Sequence, residues 1–590
     1  MKNKLIEMDH GKLASRIRAG LIKAFRHAFP FSLILLFSGH ISAQEINTVD
    51  DINQIIGKVE GQYQGMLEHL SDFTRYPLTT NEDGTLQLVN PGNWTSGFFP
   101  GSLWLLYEYT NRDFWLNNAI QFTAGIEGQK YNTGTHDLGF MLGCSFGNGY
   151  RLIDDPAYEG ILVQAATSLA SRFNANVGCI RSWDFGSWEF PVIVDNMMNL
   201  ELLFLATGLT GDSSYWEKAV SHADVTMVNH YRDDYSSWHV VDYNPTTGDT
   251  IAKYTHQGYS VASAWARGQS WGLYGYTMCY RITGDVRYLE LAENIALFLI
   301  GHERLPADLV PYWDYDAPGI PNEPRDVAAA TIMCSALFEL SKYSESHGTA
   351  FLNTAIDQIN SISSEEYTAA LDSNNHFILM HATGNYPANS GVDVPMNYAD
   401  YYYLEALTRY RRHLNDPPQA NFVYVQSDSI AQLQVDFDAS GTLDPDNDSL
   451  VYLWDFGDGD KRFSPTGMTA HVYDSPGNYS VTLYVSDKWG GSDTIIQTVI
   501  VNPLVHVWQL EDRKISMYPN PVADGFFLEM PGWHAGMDAF LVNTIGKKFP
   551  VDLHSRKTWI PTTDLESGYY LLVVPGYEDN LPKKIVIINQ

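Results

Sequence analysis

Basic residues are scarce in this chain. Its 590 residues include 37 Lys and Arg against 69 Asp and Glu, and the formal net charge is −32. Proteins that bind nucleic acids or anionic membranes neutralise phosphates with an excess of positive charge. The composition therefore argues against both as partners.

Cysteine is also rare, with four residues in 590. Cys144, Cys179, Cys279 and Cys334 show no Cys-x-x-Cys spacing, and no metal site is predicted. Each lies in an apolar or helical stretch, which predicts buried thiols. One disulfide among the four is an open alternative.

Long apolar runs are absent after the N-terminal segment, so no membrane-spanning helix is predicted. In that segment, basic residues between 12 and 26 precede an apolar run at 29–37, and Ser42-Ala43 follows. The run is too short to span a bilayer as a mature helix, and this order is typical of a secretory signal peptide. We therefore predict a signal peptide over residues 1–43. The charged region is long, so a downstream start site is an open alternative.

Aromatic residues, by contrast, make up 13% of the chain. The most informative stretch runs from His256 to Gly275 and reads HQGYS, then WARGQSWGLYG. It combines planar donors, Gln257 and Arg267, with the rings of Trp265 and Trp271. Sugar sites need donors for hydroxyls and carboxylates and rings for pyranose faces. A buried helix start with a structural arginine is the alternative, and we assign Trp265 to the core.

Helical patterns follow one another between residues 45 and 413. Six segments share a polar or aromatic loop and then a helix rich in Gly, Ala, Leu and aromatics; they begin near Trp94, His136, Asp195, Arg267, Asp326 and Asn397. These helices are apolar nearly all round, and amphipathic helices alternate with them. Turn signals recur at the joins, as in Thr-Gly-Asp at 210–212 and 283–285.

Six buried and six outer helices predict an all-α (α/α)6 barrel catalytic domain. In such a barrel the loops that enter the inner helices share one end. One cleft is therefore predicted to gather Trp94, His136, Asp137, Asp195, Arg267, Gln269 and Asn397.

The pattern changes after residue 416. Residues 417–503 alternate apolar and polar positions, and the runs WDFGDG (454–459) and YDSPGNYSVTLYVSD (473–487) resemble the polycystic-kidney-disease (PKD) domain. The resemblance implies a β-sandwich that serves mostly as a spacer and sometimes contacts glycans. Asp444, Asp446 and Asp448 allow either a calcium loop or a plain acidic turn.

Residues 512–590 contain the runs MYPNPV, LESGYYL and KKIVI. They resemble the small β sorting domain at the C-terminus of proteins exported by the type IX secretion system of Bacteroidetes. The resemblance implies that this machinery is a partner and that the protein is secreted or held at the cell surface. A third small β domain of unknown role is the alternative.

Two carboxylates stand at inner helix starts. Asp137 lies in HDLGF and Asp195 in VDNMMNL. A single aspartate there is usually an N-cap, which the helix dipole stabilises. Two on adjacent inner helices, beside His136 and Asn196, predict a catalytic pair of the kind that carbohydrate hydrolases use.

The motifs HDLGF, DNMMNL, HQGYS, WARGQSWGLYG, PYWDYDAP and DVP…YADYYYLEAL occur in this order. Together they resemble glycoside hydrolase family 88, the unsaturated glucuronyl hydrolases, over residues 50–412. The resemblance implies an (α/α)6 barrel that needs no metal or organic cofactor. It also implies a substrate: oligosaccharides from polysaccharide lyases, which end in a 4-deoxy-Δ4,5-unsaturated glucuronyl residue. Ulvan and glycosaminoglycan fragments both fit.

The resemblance also implies roles for single residues. Asp195 matches the family's general acid/base and Asp137 its second essential carboxylate. The predicted substrate-binding residues are Trp94, His136, His239, Gln257, Arg267, Trp271 and Ser390. Among them, Arg267 is predicted to bind the uronate carboxylate through its planar fork, and the rings of Trp94 and Trp271 to stack on sugars.

One departure concerns the aglycone. Gly391 stands where the family pattern has a larger, often acidic residue, so the identity and sulfation of the second sugar are open. Asn389 and Ser390 contact a sulfate or form a plain turn. Two other functions are also open: an unsaturated rhamnogalacturonyl hydrolase and a non-catalytic glycan-binding toroid.

Overall fold

A computed structural model describes residues 45–426, 433–502, 515–530, 533–575 and 583–588. The predicted signal peptide lies outside the described residues. Within them, no helix combines the length and apolarity needed to cross a bilayer. The chain forms two compact units, with the main division between Asp416 and Pro417.

Outer and inner helices alternate along the first unit. The outer helices are α1 (Val49–Glu68), α3 (Asp113–Ala124), α5 (Pro156–Ala170), α7 (Ser213–Asn229), α9 (Val286–Ile300) and α11 (Gly348–Ile362). The inner helices are α2 (Phe98–Thr110), α4 (Asn148–Ile153), α6 (Leu200–Thr210), α8 (Ala266–Thr283), α10 (Val327–Leu340) and α12 (Asn397–Leu414). A π-helix, Gly139–Gly147, leads into α4, and a 3-10 helix, Val194–Asn199, leads into α6. Two further 3-10 turns are Glu127–Tyr131 and Asn374–His376.

The inner helices close into a ring. Helix α2 packs on the π-helix, which packs on α6; the 3-10 lead-in of α6 packs on α8, and α10 and α12 complete the circle back to α2. Every residue of α10 is buried, whereas α9 buries one face. The predicted (α/α)6 barrel is therefore confirmed.

The Thr-Gly-Asp turns join inner to outer helices as predicted. Gly211 and Gly284 end α6 and α8 with φ of 76° and 70°. Glycine takes this left-handed conformation without a steric penalty. Asp212 and Asp285 then cap α7 and α9, because their side chains accept hydrogen bonds from backbone N–H groups of the first turn.

Short antiparallel strands stand between the helices, and the sequence pattern did not predict them. They form four small sheets: β1 (Tyr76–Thr80) with β2 (Leu86–Val89), β3 (Phe173–Asn174) with β4 (Cys179–Ile180), β5 (Pro191–Ile193) with β6 (Val240–Tyr243) and β7 (Thr250–Tyr254), and β8 (Ala382–Asn385) with β9 (Ser390–Val394). Ile193 pairs with Val240. This register brings together the segments that carry Asp195 and His239.

The second unit begins with a β-sandwich. One sheet has the order β10 (Val423–Gln426), β11 (Leu433–Asp438), β14 (Met468–Tyr473), and the other β13 (Lys461–Ser464), β12 (Val451–Asp455), β15 (Gly477–Ser486), β16 (Ser492–Val501). Alternate residues of the strands, such as Val481, Leu483 and Val485, are buried in a core that includes Trp454. The predicted β-sandwich is confirmed.

The last segment is a small β domain with a separate core. Its sheets are β17 (Ser516–Tyr518), β18 (Gly525–Glu529), β21 (Lys557–Pro561) and β20 (Lys548–Val551), β19 (Ala539–Asn543), β22 (Gly568–Val573), β23 (Lys583–Ile587). Phe526, Leu541 and Ile585 are fully buried there.

The acidic turn of the sandwich differs from the predicted set. Asp444 Oδ1 accepts hydrogen bonds from the backbone N–H groups of Asp446 and Asp448, each at 3.0 Å, as in a plain turn. Carboxylate oxygens of Asp444, Asp448 and Asp487 lie within 4.8 Å of one another. Asp487 thus stands where Asp446 was predicted.

The four cysteines are free thiols. Cys179, Cys279 and Cys334 are buried, as predicted, whereas Cys144 is partly exposed. None of the four forms a disulfide in the part of the chain that the structure describes.

Candidate active site

Asp195 lies in the 3-10 helix that leads into α6, two residues after β5. It is not an N-cap, because the cap position is Ile193. Its side chain is 13% exposed, and the buried Oδ1 accepts no hydrogen bond from the described residues. Burial raises the pKa of Asp195 to about 7; the positive charge of Arg267 opposes the rise, and the negative charge of Asp137 adds to it. The carboxyl group is therefore partly protonated near neutral pH, as a general acid must be.

His239 faces Asp195 from the residue before β6. Its Nε2 is 3.8 Å from Asp195 Oδ1. Its Nδ1 accepts hydrogen bonds from the backbone N–H groups of His256 and Gln257, at 3.1 and 3.3 Å, so Nδ1 carries no proton. Burial and nearby positive charge hold the pKa of His239 well below its usual value. The neutral ring therefore carries its proton on Nε2 and points a donor toward Asp195.

Thr135 holds Asp137, and His136 lies beside it. His136 is 2% exposed; its Nδ1 donates to the Ser182 carbonyl oxygen at 2.9 Å, and its Nε2 lies 3.1 Å from Asp137 Oδ1. Thr135 Oγ1 donates to Asp137 Oδ2 at 2.7 Å. Asp137 is also not an N-cap, since Leu138 occupies the cap position of the π-helix. Neither carboxyl group is thus committed to capping a helix start.

Trp94 borders the cleft. Its ring is half-buried and packs on Phe140 and Tyr398, with centroid separations of 5.6 and 5.2 Å. A ring that is fixed on one side and open on the other suits a sugar face. Its predicted stacking role stays a prediction.

Arg267 does not present its guanidinium to the cleft as predicted. The residue is 1% exposed, and Nη1 forms an ion pair with Asp326 Oδ2 at 2.9 Å. The same guanidinium donates short hydrogen bonds to the carbonyl oxygens of Thr383 and Gly384. These acceptors engage the fork that was expected to bind a uronate carboxylate, so the geometry favours a positioning role.

Three other residues of the predicted cleft lie in the core. Trp271 is 1% exposed between Phe140 and Tyr402, so neither face of its ring is open to a sugar. Gln269 bonds with the backbone N–H and hydroxyl of Ser237, and Asn397 Nδ2 donates to the carbonyl oxygens of Pro77 and Thr95. Gln269 and Asn397 stand near the starts of their helices, and their polar groups bind backbone groups of neighbouring segments. Trp265, assigned to the core, is 3% exposed and packs on His239 at 4.5 Å.

The β8–β9 hairpin carries Ser390 and accepts a hydrogen bond from Gln257. Gln257 Nε2 donates to the Gly384 carbonyl oxygen at 3.0 Å, and Ser390 is exposed at the start of β9. Gly391 has φ of 62°, a conformation that favours glycine, which explains the departure at this position. Gln257 and Arg267 thus both hold the strand at Gly384.

A cavity of about 650 Å³ lies at the other end of the barrel, near the C-terminal ends of the inner helices. Arg281 and Arg409 line it, and both form ion pairs with Glu339, at 2.6 and 2.8 Å. Paired charges of this kind stabilise the helix ends. We therefore place the candidate active site at Asp195.

Sequence reasoning assigned no role to two residues that shape this site, Asp326 and Ser182. Asp326 neutralises Arg267, and Asn196 accepts a hydrogen bond from Ser182, whose carbonyl oxygen in turn binds His136. A buried aspartate at the predicted start of an inner helix was the available signal for Asp326. Ser182 gave no signal, because the strands before it, β3 and β4, are only two residues long.

A closed helical barrel with a carboxyl pair in an aromatic-edged cleft defines a glycoside hydrolase of the (α/α)6 class. Over 367 residues, the chain is 44% identical to the unsaturated glucuronyl hydrolase of Formosa agariphila, covering 60% of this chain and 90% of that protein. It is 31% identical over 381 residues to the unsaturated chondroitin disaccharide hydrolase of Streptococcus pneumoniae, covering 62% and 94%. A crystal structure of an unsaturated glucuronyl hydrolase specific for heparin superposes with a TM-score of 0.60 at 44% identity, covering 61% and 97%. The chain belongs to the unsaturated glucuronyl hydrolase family.

The second unit matches two family models. Residues 415–501 match the PKD domain, and residues 516–588 match the secretion system C-terminal sorting domain. The sorting domain indicates export by type IX secretion to the cell surface or beyond.

Proposed function

We propose that this protein removes the 4-deoxy-Δ4,5-unsaturated glucuronyl residue from the non-reducing end of oligosaccharides that polysaccharide lyases release. The observation that carries the proposal is Asp195, a buried carboxyl group with a pKa of about 7 beside the neutral donor of His239. The names of the relatives, which include glucuronyl and chondroitin disaccharide hydrolases, support the same substrate class.

The chemistry follows from the enol ether of the unsaturated sugar. Asp195 donates its proton to C4, and the electron pair of the C4=C5 bond forms the new C–H bond. The resulting cation at C5 is stabilised by the ring oxygen. The Asp195 carboxylate then takes a proton from a water molecule as the water oxygen bonds to C5. The hemiketal opens, and the aglycone departs with its own oxygen.

The neighbouring groups support this cycle. The negative charge of Asp137 adds to the raised pKa of Asp195, and we propose that its carboxylate also orients the sugar. His239 donates from Nε2 to the same space. Trp94 stacks on the sugar, and Gln257 fixes the hairpin that carries Ser390. Arg267 acts through this hairpin rather than on the uronate.

The pH profile follows from the protonated form of Asp195. C4 protonation requires the acid form, so kcat/KM is expected to be level below the pKa of about 7 and to fall about tenfold for each further pH unit. Because kcat/KM reports the free enzyme, the structure without substrate is the appropriate reference. A profile that stays level up to pH ~10, where a lysine would be the titrating group, would contradict the assignment.

The function is tested by the ultraviolet absorbance of the C4=C5 double bond. Purified full-length protein is expected to abolish this absorbance in unsaturated disaccharides from ulvan, heparin or chondroitin. Activity confined to unsaturated rhamnogalacturonan products would support the related hydrolase instead. Binding to all of them without loss of absorbance would indicate a glycan-binding toroid.

The aglycone is the finer part of the proposal. Relatives named for heparin and for chondroitin support a glycosaminoglycan, and the exported architecture is equally compatible with ulvan. A ranking of kcat/KM across the three disaccharides identifies the preferred one.

A further inference from the structure

Five aromatic side chains gather beside the candidate site and have no part in the proposed chemistry. Trp183, Phe185 and Trp188 lie on the loop between β4 and β5, and Tyr254 and His256 lie at the end of β7. We call these five residues the aromatic shelf. Phe185 is 55% exposed and Tyr254 37% exposed. Apolar rings grouped in one exposed patch mark a binding surface more often than scattered ones do.

One end of the aromatic shelf lies beside His239 and Asp195, and the other rings lead away from them. Trp183 meets His239 edge-on with a centroid separation of 6.0 Å, and Nε2 of His239 is 3.8 Å from Asp195. Phe185 stacks beside Trp183 at 5.1 Å, and Trp188 lies 5.2 Å from Trp183. The rings thus form a continuous path from the acid to solvent.

Both arginines that the described structure places beside this loop are paired. Arg172 and Arg181 both pair with Asp184, at 2.8 and 3.3 Å, and Arg181 Nε also donates to the Trp183 carbonyl oxygen. Partial burial lowers the pKa of His256, so its ring is neutral near pH 7. Ring faces beside paired arginines and a neutral histidine suit the apolar face of an uncharged pyranose and not a sulfate group.

We propose that the aromatic shelf is an outer subsite, which binds an unsulfated sugar of the aglycone beyond the residue next to the cleaved bond. The proposal rests on the proposed function and deepens it, because it makes oligosaccharides longer than a disaccharide the preferred substrates. Phe185, the most exposed ring of the aromatic shelf, supplies the stacking face.

The test compares chain lengths. The substrates are the unsaturated disaccharide and tetrasaccharide of one unsulfated glycosaminoglycan, prepared with a lyase. In Phe185→Ala, the ratio of kcat/KM for tetrasaccharide to disaccharide is expected to fall about fivefold, mainly through KM, because the ring face that stacks on the sugar is removed. Phe185→Leu, which keeps an apolar side chain without the ring face, is expected to give a similar fall. Phe114→Ala removes another exposed phenylalanine, 45% exposed on α3, and should leave the ratio unchanged.

An unchanged ratio in Phe185→Ala would overturn the proposal. So would an equal loss on both substrates, because that would assign the rings to loop stability alone. If the unmodified protein cleaves neither substrate and also leaves the disaccharides from ulvan, heparin and chondroitin uncleaved, the proposed function fails separately. Calorimetric binding of the tetrasaccharide to the unmodified protein and to Phe185→Ala then decides the shelf: equal affinities contradict it.

Discussion

Replacing Asp195 by asparagine is expected to lower kcat by about 10²- to 10⁴-fold, the usual worth of a positioned general acid. Asparagine keeps the size of the side chain but has no proton to give to C4 and cannot accept one from water. The measurement is the initial rate at which unsaturated disaccharide loses its ultraviolet absorbance. A variant that keeps most of the activity would remove Asp195 from the role of acid.

Stability separates this prediction from simple unfolding. The pKa of Asp195 in the folded protein, about 7, lies above its usual value of 3.8. At low pH, Asp195 is protonated in both the folded and the unfolded chain. As pH rises from its usual pKa toward 7, the unfolded chain ionises more readily, so the free energy of unfolding falls increasingly. Asp195→Asn removes this penalty. Its Tm is therefore expected to match or exceed that of the unmodified protein, by more at pH 8 than at pH 5.

Asp400 provides the matched control. It is also buried with a pKa raised to about 7, but its carboxylate accepts hydrogen bonds from the backbone N–H groups of Ile378 and Leu379. Asparagine at this position would turn a donor toward one of them, and the loss of a buried hydrogen bond costs about 1–3 kcal/mol. Asp400→Asn loses this hydrogen bond as well as the ionisation penalty, so it should raise Tm by less than Asp195→Asn does, and it should leave kcat of the folded protein near its original value.

Replacing Arg267 by methionine is expected to lower the free energy of unfolding by about 3–5 kcal/mol, the usual cost of leaving one partner of a buried ion pair alone. Asp326, 0% exposed, would lose its counter-ion, and the carbonyl oxygens of Thr383 and Gly384 would each lose one donor. Denaturant unfolding measures the loss. Arg267→Met/Asp326→Asn should recover part of it, because the unpaired charge is then removed.

An ion pair whose arginine is exposed gives the control for Arg267. Arg112, 60% exposed, pairs with Glu60 at 2.9 Å, and Arg112→Met should cost about 1 kcal/mol or less. If Arg267→Met instead keeps its stability and loses only affinity for substrate, Arg267 binds the uronate directly, as its sequence context suggested.

The barrel was predictable because its evidence is local and repeated. Each apolar helix and each Thr-Gly-Asp turn is predicted from residues that are close in the sequence. The six apolar helices together define the architecture. Asp137 and Asp195 were found in the same way, as carboxylates that lead apolar helices.

The roles of Arg267 and Trp271 were beyond the sequence for a physical reason. Polarity at a helix start shows that a partner exists but not whether it is a ligand or a distant backbone group. For Arg267 the partners are carbonyl oxygens 116 and 117 residues away along the chain. Likewise, β5 and β6 are only three and four residues long, too short for a recognisable alternation, yet their pairing brings His239 to Asp195.

The central claim is that Asp195 holds a proton near neutral pH beside the substrate. Titration of carboxyl carbons by NMR in protein labelled with ¹³C-aspartate tests it most directly. In the unmodified protein we expect a carboxyl signal that titrates near pH 7. This signal should be missing from Asp195→Asn, while the Asp400 signal remains. If Asp195→Asn loses only a signal that titrates near pH ~4, the range of an unperturbed aspartate, Asp195 does not hold a proton near neutral pH and its proposed role is contradicted.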